Sequence, residues 1–301
     1  MVDQENKRCG FVALIGAPNA GKSTLMNCIM GTKVSIVTHK VQTTRTRVVG
    51  VMTQDHDQIV FVDTPGIFAP NRRLERAMVT AAWGGATDAD KIVLLVDAER
   101  GLNEEVQLII EGFKKVKKTA IIGLNKIDLI PREKLLILAD ELQEINILEA
   151  IFMISALKGD GVDDLVESLR VGLPNGPWLY PKDHLSDMND RSFSAEITRE
   201  KLFLSLHQEL PYSLTVETEG WQERKDGSLK IDQVIYVERS GHKGIVLGKG
   251  GQQIKRVGAE ARKELEQILE RRVHLFLFVK VRENWRDDPE RYREMGLDFS
   301  D

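Results

Sequence analysis

The chain is poor in cysteine, with only Cys9 and Cys28 among 301 residues. One lies in the N-terminal stretch and one in a predicted helix, which gives neither a disulfide framework nor a zinc-ligand spacing, so a reducing cytosol is expected. Long apolar runs are also missing. The first, Phe11 to Ala17, is too short to span a bilayer and leads into Pro18 and Asn19 without a small-residue cleavage site, so secretion is not expected. There is no internal repeat and no low-complexity tract. No sign of charge dominates overall, the formal net charge being −4.

What is present is ordinary globular chemistry. Hydrophobic residues at 42% and charged residues at 29% fit a soluble chain that folds on its own. Its length exceeds the usual single domain of roughly 100 to 200 residues, so two domains are expected. The small net charge hides an asymmetry: Ser240 to Arg282 holds ten Lys or Arg against four Glu, a net of +6 that leaves −10 elsewhere. That stretch either faces an anion or is in part a solvated helix face.

From residue 10 to 172, short runs of Val, Ile and Leu alternate with longer amphipathic stretches, the pattern of repeated βαβ units and a mostly parallel sheet. Strands are expected at Phe11–Ile15, Val48–Met52, Ile59–Asp63, Ile92–Asp97, Ala120–Asn125 and Ile151–Ile154. The proline- and glycine-rich run from Leu173 to Pro181 cannot continue a helix and reads as part of a linker over 173–190. A second, α+β module is expected over 191–283. It has a helix at Ala195–Gln208, strands at Ser213–Gln222 and Leu229–Glu238, a glycine-rich turn, a helix at Gln252–Arg271 and a strand at Val273–Val281. An acidic tail, 284–301, closes the chain.

Gly16-Ala-Pro-Asn-Ala-Gly-Lys-Ser23 matches the phosphate-binding pattern G-x-x-x-x-G-K-S, directly after one predicted strand and opening a helix. The loop's N–H groups and the helix N-terminus suit phosphate oxygens, Lys22 is a cation for the β and γ phosphates, and Ser23 offers an oxygen to Mg²⁺. Asn125-Lys-Ile-Asp128 ends another strand. The Asp128 carboxylate can accept from guanine N1–H and the 2-amino group, a donor pair adenine lacks, so GTP is expected over ATP. Asp63-Thr-Pro-Gly66 supplies an acid for the Mg²⁺ shell and a glycine N–H near the γ-phosphate. Gln42-Thr-Thr-Arg-Thr46 lies on a polar connection suited to a switch loop. Ser155-Ala156 follows the last strand, where a backbone N–H can reach guanine O6.

The ordered set GAPNAGKS, QTTRT, DTPG, NKID and SAL resembles the translation-factor-related GTPases over residues 10 to 172. That resemblance implies a nucleotide site of Gly16, Ala17, Pro18, Asn19, Ala20, Gly21, Lys22, Ser23, Thr24, Asp63, Thr64, Pro65, Gly66, Ile67, Asn125, Lys126, Ile127, Asp128, Ser155 and Ala156. Ser23, Thr44 and Asp63 would serve Mg²⁺; Lys22, Thr44, Gly66 and Asn19 would serve hydrolysis. Ile67 stands where many small GTPases have a water-orienting glutamine, and either other groups act or turnover is slow. Asn19 resembles the asparagine that helps hold K⁺ in related GTPases, so K⁺ stimulation is expected; Arg45 or Arg47 is the alternative source of positive charge.

In the second module, Gly248-Lys-Gly-Gly251 is a G-x-x-G turn entering a helix, with Lys243, Lys249, Lys255 and Arg256 around it. Alone it is a helix turn. In this setting of strands, helix and basic excess it resembles the RNA-contacting loop of type II K-homology domains, whose element order is α, β, β, α, α, β. A GTPase domain over 1–172 followed by such a domain resembles the Era family, as do the segments HKGIVLGKGGQQIKRVG and KVRENWR. This implies an α/β P-loop GTPase domain with a mostly parallel sheet, an α+β K-homology domain, and binding of GTP or GDP. It further implies, as partners, the 3′ end of 16S ribosomal RNA and the 30S subunit. The chain is expected to be a cytoplasmic monomer. Peripheral inner-membrane association through the basic face, a protein-binding second domain and a non-hydrolysing nucleotide site are the competing readings.

Overall fold

The computed structural model describes residues 7–40, 43–145, 147–207, 210–283, 285 and 288–299; Gln42, Gln208, Asn284 and Arg286, named above in motifs or predicted elements, lie outside the described residues. The chain divides into two units, Met1–Asp187 with Tyr292–Asp301, and Met188–Arg291.

The first unit carries a six-stranded sheet of β1 (Arg8–Gly16), β2 (Val48–Gln54), β3 (Asp57–Asp63), β4 (Lys91–Asp97), β5 (Ala120–Asn125) and β6 (Leu148–Ile154). Their order is β2-β3-β1-β4-β5-β6. Only β2 runs antiparallel to its neighbour, β3; the other pairings are parallel. Alternation decides which face each side chain joins. On β1, Ala13 and Ile15 enter the core under α2 (Arg73–Asp88), α3 (Glu104–Val116) and α4 (Arg132–Gln143). Val12 and Leu14 enter the opposite core under α1 (Lys22–Met30) and α5 (Val162–Arg170). A sheet covered on both faces explains why its strands read as continuous apolar runs.

Local chemistry sets the helix ends. Asn103 caps α3 by accepting from Val106 N, with Glu104 and Glu105 in the first turn and Lys114 and Lys115 in the last, each complementing the helix dipole. Residues 173–187, expected as linker, belong to the first unit, because Gln58 is a buried amide that binds them. Its Oε1 accepts from Leu179 N and Tyr180 N at 2.8 and 3.0 Å, and its Nε2 donates to Tyr180 O at 2.9 Å. Val51 N donates to Leu185 O on the exposed edge of β2. The expected tail also gains structure, as α9 (Pro289–Glu294). Tyr292 and Leu297 are buried with Leu74, Ala77 and Met78.

The second unit has α6 (Asp190–Ser205), β7 (Leu214–Glu223), β8 (Leu229–Val237), α7 (Ser240–Leu247), α8 (Gln252–Ile268) and β9 (Val273–Val281). Its sheet is β7-β8-β9, antiparallel then parallel. The helix α7 did not emerge from periodicity, because Gly241 and Gly244 dilute its pattern; Val246 is its one buried residue. The resulting order is the α, β, β, α, α, β that the resemblance implied. α8 stops at Ile268 rather than Arg271, since Glu270 turns to φ 50°. Its buried stripe is Val257, Ala261 and Leu265, spaced by four.

At the edge of the first sheet opposite the strands' carboxyl ends, the buried Asp57 takes hydrogen bonds from Arg8 Nε and Nη2 at 2.6 and 2.7 Å and from Arg170 Nε at 2.9 Å. Burial alone would raise this carboxyl; the two guanidiniums outweigh it and hold it below its ordinary value of 3.8. A group held low contributes stability above its unfolded pKa and loses it as pH falls through its folded pKa. Asp57→Asn should therefore cost about 3 kcal/mol at neutral pH. Urea unfolding should show the gap from the parent chain narrowing as pH drops below 3.8.

Candidate functional site

Parallel pairing aligns the carboxyl ends of the strands. Leu14 stands opposite Asp63, Gly16 opposite Leu95, Asp97 opposite Asn125 and Asn125 opposite Ile154. Segments far apart in sequence thus open onto one edge, around a cleft of about 680 Å³ lined by residues of the 16–24 loop, of 36–44, of 97–105, Gly66 and Lys126. Ligands of open parallel sheets bind at such an edge.

The phosphate loop runs from β1 into α1. Lys22 is buried and donates to Gly16 O and Ala17 O at 3.1 and 3.0 Å. Burial pushes its ammonium from 10.5 down to about 8, against the opposing charge of Asp63. Ala20 N donates to Ala17 O, tightening the turn. Thr24 lines the cleft. The Asn19 side chain donates to His39 O at 2.9 Å, joining this loop to the following connection. Gly66 lies against the loop: a Cβ there would stand 2.9 Å from the Pro18 backbone, so no larger residue fits without displacing it.

A cluster of hydroxyls surrounds one carboxylate. Ser23 Oγ donates to Asp63 Oδ2 at 2.6 Å and lies 3.0 Å from Thr44 Oγ1. Ser35 Oγ, which sequence reasoning did not single out, donates to the same Oδ2 at 3.1 Å. Asp63 Oδ1 is buried without a hydrogen-bond partner among the described residues. Burial raises the Asp63 carboxyl, with Lys22, Ser23 and Ser35 opposing. A buried bare carboxylate oxygen beside two hydroxyls suits Mg²⁺, a hard cation that keeps waters and phosphate oxygens as further ligands. Ser23 and Thr44 would hold it directly and Asp63 through its shell.

The rest of the third-strand turn is structural in its contacts. Thr64 donates to Leu14 O at 2.8 Å, and Pro65 is buried. Ile67 is fully buried in the core, and its N–H donates to Gly16 O. Its side chain has no access to a water in the cleft. Arg45 is buried and Arg47 exposed, and neither is among the residues lining the cleft.

At the far end, Asn125 braces loops. Its Nδ2 donates to Ala20 O at 2.8 Å, and its Oδ1 accepts from Ala156 N at 2.9 Å and Lys126 N at 2.8 Å. Of the Ser155-Ala156 pair, expected to offer a backbone N–H to guanine O6, the Ala156 N–H is thus already engaged, and the Ser155 N–H donates to Asp160 O at 2.9 Å. Lys126, at φ 67°, forms an ion pair with Asp97. Ile127 opens a short 3-10 turn that carries Asp128. Asp128 Oδ1 accepts from Ser155 Oγ at 2.7 Å, and that bond holds its carboxyl low. Asp97, Asn27, Ser35 and His39 are the participants that sequence reasoning missed. Only Asp97, ending a predicted strand beside Asn125, left a readable signal.

In the second unit the turn between α7 and α8 has Gly248, Gly250 and Gly251 at φ 71°, 60° and 76°. Among the described residues nothing lies within 4 Å of where a Cβ on Gly250 or Gly251 would stand, so the backbone is open to close approach. Lys243, Lys249, Lys255 and Arg256 are all exposed around it.

Comparison with known proteins agrees with this division. The family described as 50S ribosome-binding GTPase matches residues 11–126, and the KH domain family matches residues 209–286. GTPase Era of Sinorhizobium medicae is 62% identical, covering 97% of this chain and 94% of that protein. Era of Brucella suis is 61% identical over the same shares. A variant Era of Aquifex aeolicus bound to GDP and AlF4⁻ superposes with TM-score 0.91 at 41% identity, covering 96% of this chain and 99% of the other. An Era in complex with MgGDPNP and nucleotides 1506–1542 of 16S ribosomal RNA superposes equally well, with the same identity and coverage. With the loops built for a guanine nucleotide and its Mg²⁺, and with relatives this similar along nearly the whole chain, the protein belongs to the Era family of GTPases.

Proposed function

We propose that this chain is a GTP-driven switch that binds the 3′ end of 16S ribosomal RNA and acts in assembly and maturation of the 30S subunit. The observation that carries this is the presence, in one chain, of the Ser23–Asp63–Thr44 cluster and the open glycine turn at Gly248–Gly251. It is supported by a relative of the same fold that holds both a guanine nucleotide with Mg²⁺ and that RNA. Such assembly is cytoplasmic work, and among the described residues no helix is long and apolar enough to cross a membrane.

The chain's own groups divide the task. Asp128, held low by Ser155, accepts from the guanine edge, while Asn125 keeps the loops around it in register. Lys22 and the loop N–H groups take the phosphates. Mg²⁺, when bound, neutralises charge on the β and γ phosphates. With Ile67 packed away, hydrolysis rests on positioned cations and the Gly66 N–H rather than on a water-orienting side chain. Asn19 and the His39 carbonyl lie side by side, joined by an amide N–H donating to the carbonyl; with the amide turned to offer its oxygen instead, the two would supply oxygen ligands for K⁺ as the added positive charge. In the second unit, phosphates would approach the glycine turn, with the lysines and Arg256 supplying charge.

Asp128→Asn should weaken GTP binding by about 10²-fold or more and admit xanthosine triphosphate, whose 2-carbonyl accepts from the new amide; competition of fluorescent nucleotides reads both. Because phosphates favour the charged ammonium, Lys22, at about 8 in the free chain, should take up a proton when GTP binds at pH 9 and not at pH 6.5. Calorimetry in buffers of different ionisation heat measures that uptake, and its absence at pH 9 would be a contrary result. Turnover should rise in K⁺ over Na⁺ and rise again with a single-stranded RNA of the 16S 3′ end, and Gly250→Asp should lose the RNA response. Turnover indifferent to an RNA that also binds weakly would sink the ribosomal reading and leave a GTPase whose second unit binds a protein.

A further inference from the structure

Ser35 is buried, at 2% exposure, and like Asp63 is not among the residues lining the cleft. Its backbone is clamped by one side chain of α1. Asn27 Oδ1 accepts from Val34 N and Ser35 N, both at 2.9 Å, and Asn27 Nδ2 donates to Ser35 O at 2.8 Å. One amide therefore fixes both backbone groups of Ser35, and the hydroxyl that it presents goes to Asp63 Oδ2 at 3.1 Å.

The consequence lies in which oxygen of Asp63 is left over. A carboxylate rotates softly about its last torsion, with its two oxygens nearly equivalent. Here Ser23 and Ser35 both donate to Oδ2, and Oδ1 stays buried and without a hydrogen-bond partner among the described residues. Ser23 can serve a cation with a lone pair while its hydroxyl proton is donated to Asp63. For Ser35 the described bond of the hydroxyl goes to Asp63, and its backbone is already held by Asn27. That hydroxyl selects the orientation in which Oδ1 is left without a hydrogen bond.

We infer that Ser35, clamped by Asn27, is a positioning residue for Mg²⁺: it orients Asp63 so that one carboxylate oxygen is presented to the cation's shell. The inference rests on the nucleotide-site reading above. It assigns a role to the start of the switch connection, upstream of the threonine that serves the cation. It also separates two properties that a general loosening of the fold would change together, namely nucleotide retention without metal and the response to metal.

The test follows release of a fluorescent GDP from the full chain across a Mg²⁺ titration, with excess EDTA as the metal-free limit. Ser35→Ala should need about ten-fold more Mg²⁺ for half-maximal slowing of release, the loss expected for one hydrogen bond to a charged group, while its release in EDTA matches the parent chain. Ser35→Thr, which keeps a hydroxyl, should recover most of that response. Asn27→Ala, which leaves the hydroxyl but frees its backbone, should shift the curve in the same direction. A Ser35→Ala titration that overlays the parent's would overturn the inference, and so would release accelerated equally in EDTA and in Mg²⁺. Should the parent chain itself retain no GDP or ignore Mg²⁺, the nucleotide-site reading would fall instead.

Discussion

A parallel sheet covered on both faces can satisfy its buried backbone groups only by in-register pairing, and that constraint underlies the site. β1 is paired to β3 on one side and to β4 on the other, so Gly16, Asp63 and Asp97 arrive at one edge without any contact among their side chains being required. The loops beyond the strand ends are then tied together by Asn125. Its amide spends its described bonds on backbone groups of Ala20, Lys126 and Ala156. The loop after β1 and the segments after β5 and β6 are thereby held as one surface.

The two edges of this sheet carry buried carboxylates with opposite fates. Asp57 is matched by two guanidiniums and is held low. Asp63 is met by hydroxyls and is pushed up. The difference is one of compensation. A fully paired charge fastens strands and helix together, whereas a carboxylate with one oxygen left without a hydrogen bond is stabilised further by a cation and its waters. Lys22, whose ammonium is depressed by burial, supplies the charge opposing Asp63.

The second unit is built differently, with exposure in place of burial. Its glycines at positive φ expose backbone where a side chain would intervene, and its cations stand on the helices flanking the turn. The charge of the 240–282 stretch is thus partly a solvated helix face and partly a collar around one turn.

The sequence by itself determined the βαβ alternation, the α+β module and the ligand-facing residue types, because each is encoded in local periodicity or in a contiguous motif. Lys22, Ser23, Asp63 and Asp128 were legible in that way. It did not determine α7, whose glycines blur the helical period, nor the binding of residues 173–187 by the amide of Gln58 and by backbone groups of β1 and β2. Asn27, Ser35 and Asp97 were also out of reach as a set, for they belong to no contiguous pattern. Only the pairing of distant strands, and the turn of α1 that faces the switch connection, bring them to Asp63 and Lys126. Whether Ile67 could help a water was likewise a tertiary decision: the chain shows an aliphatic residue, and the fold buries it completely.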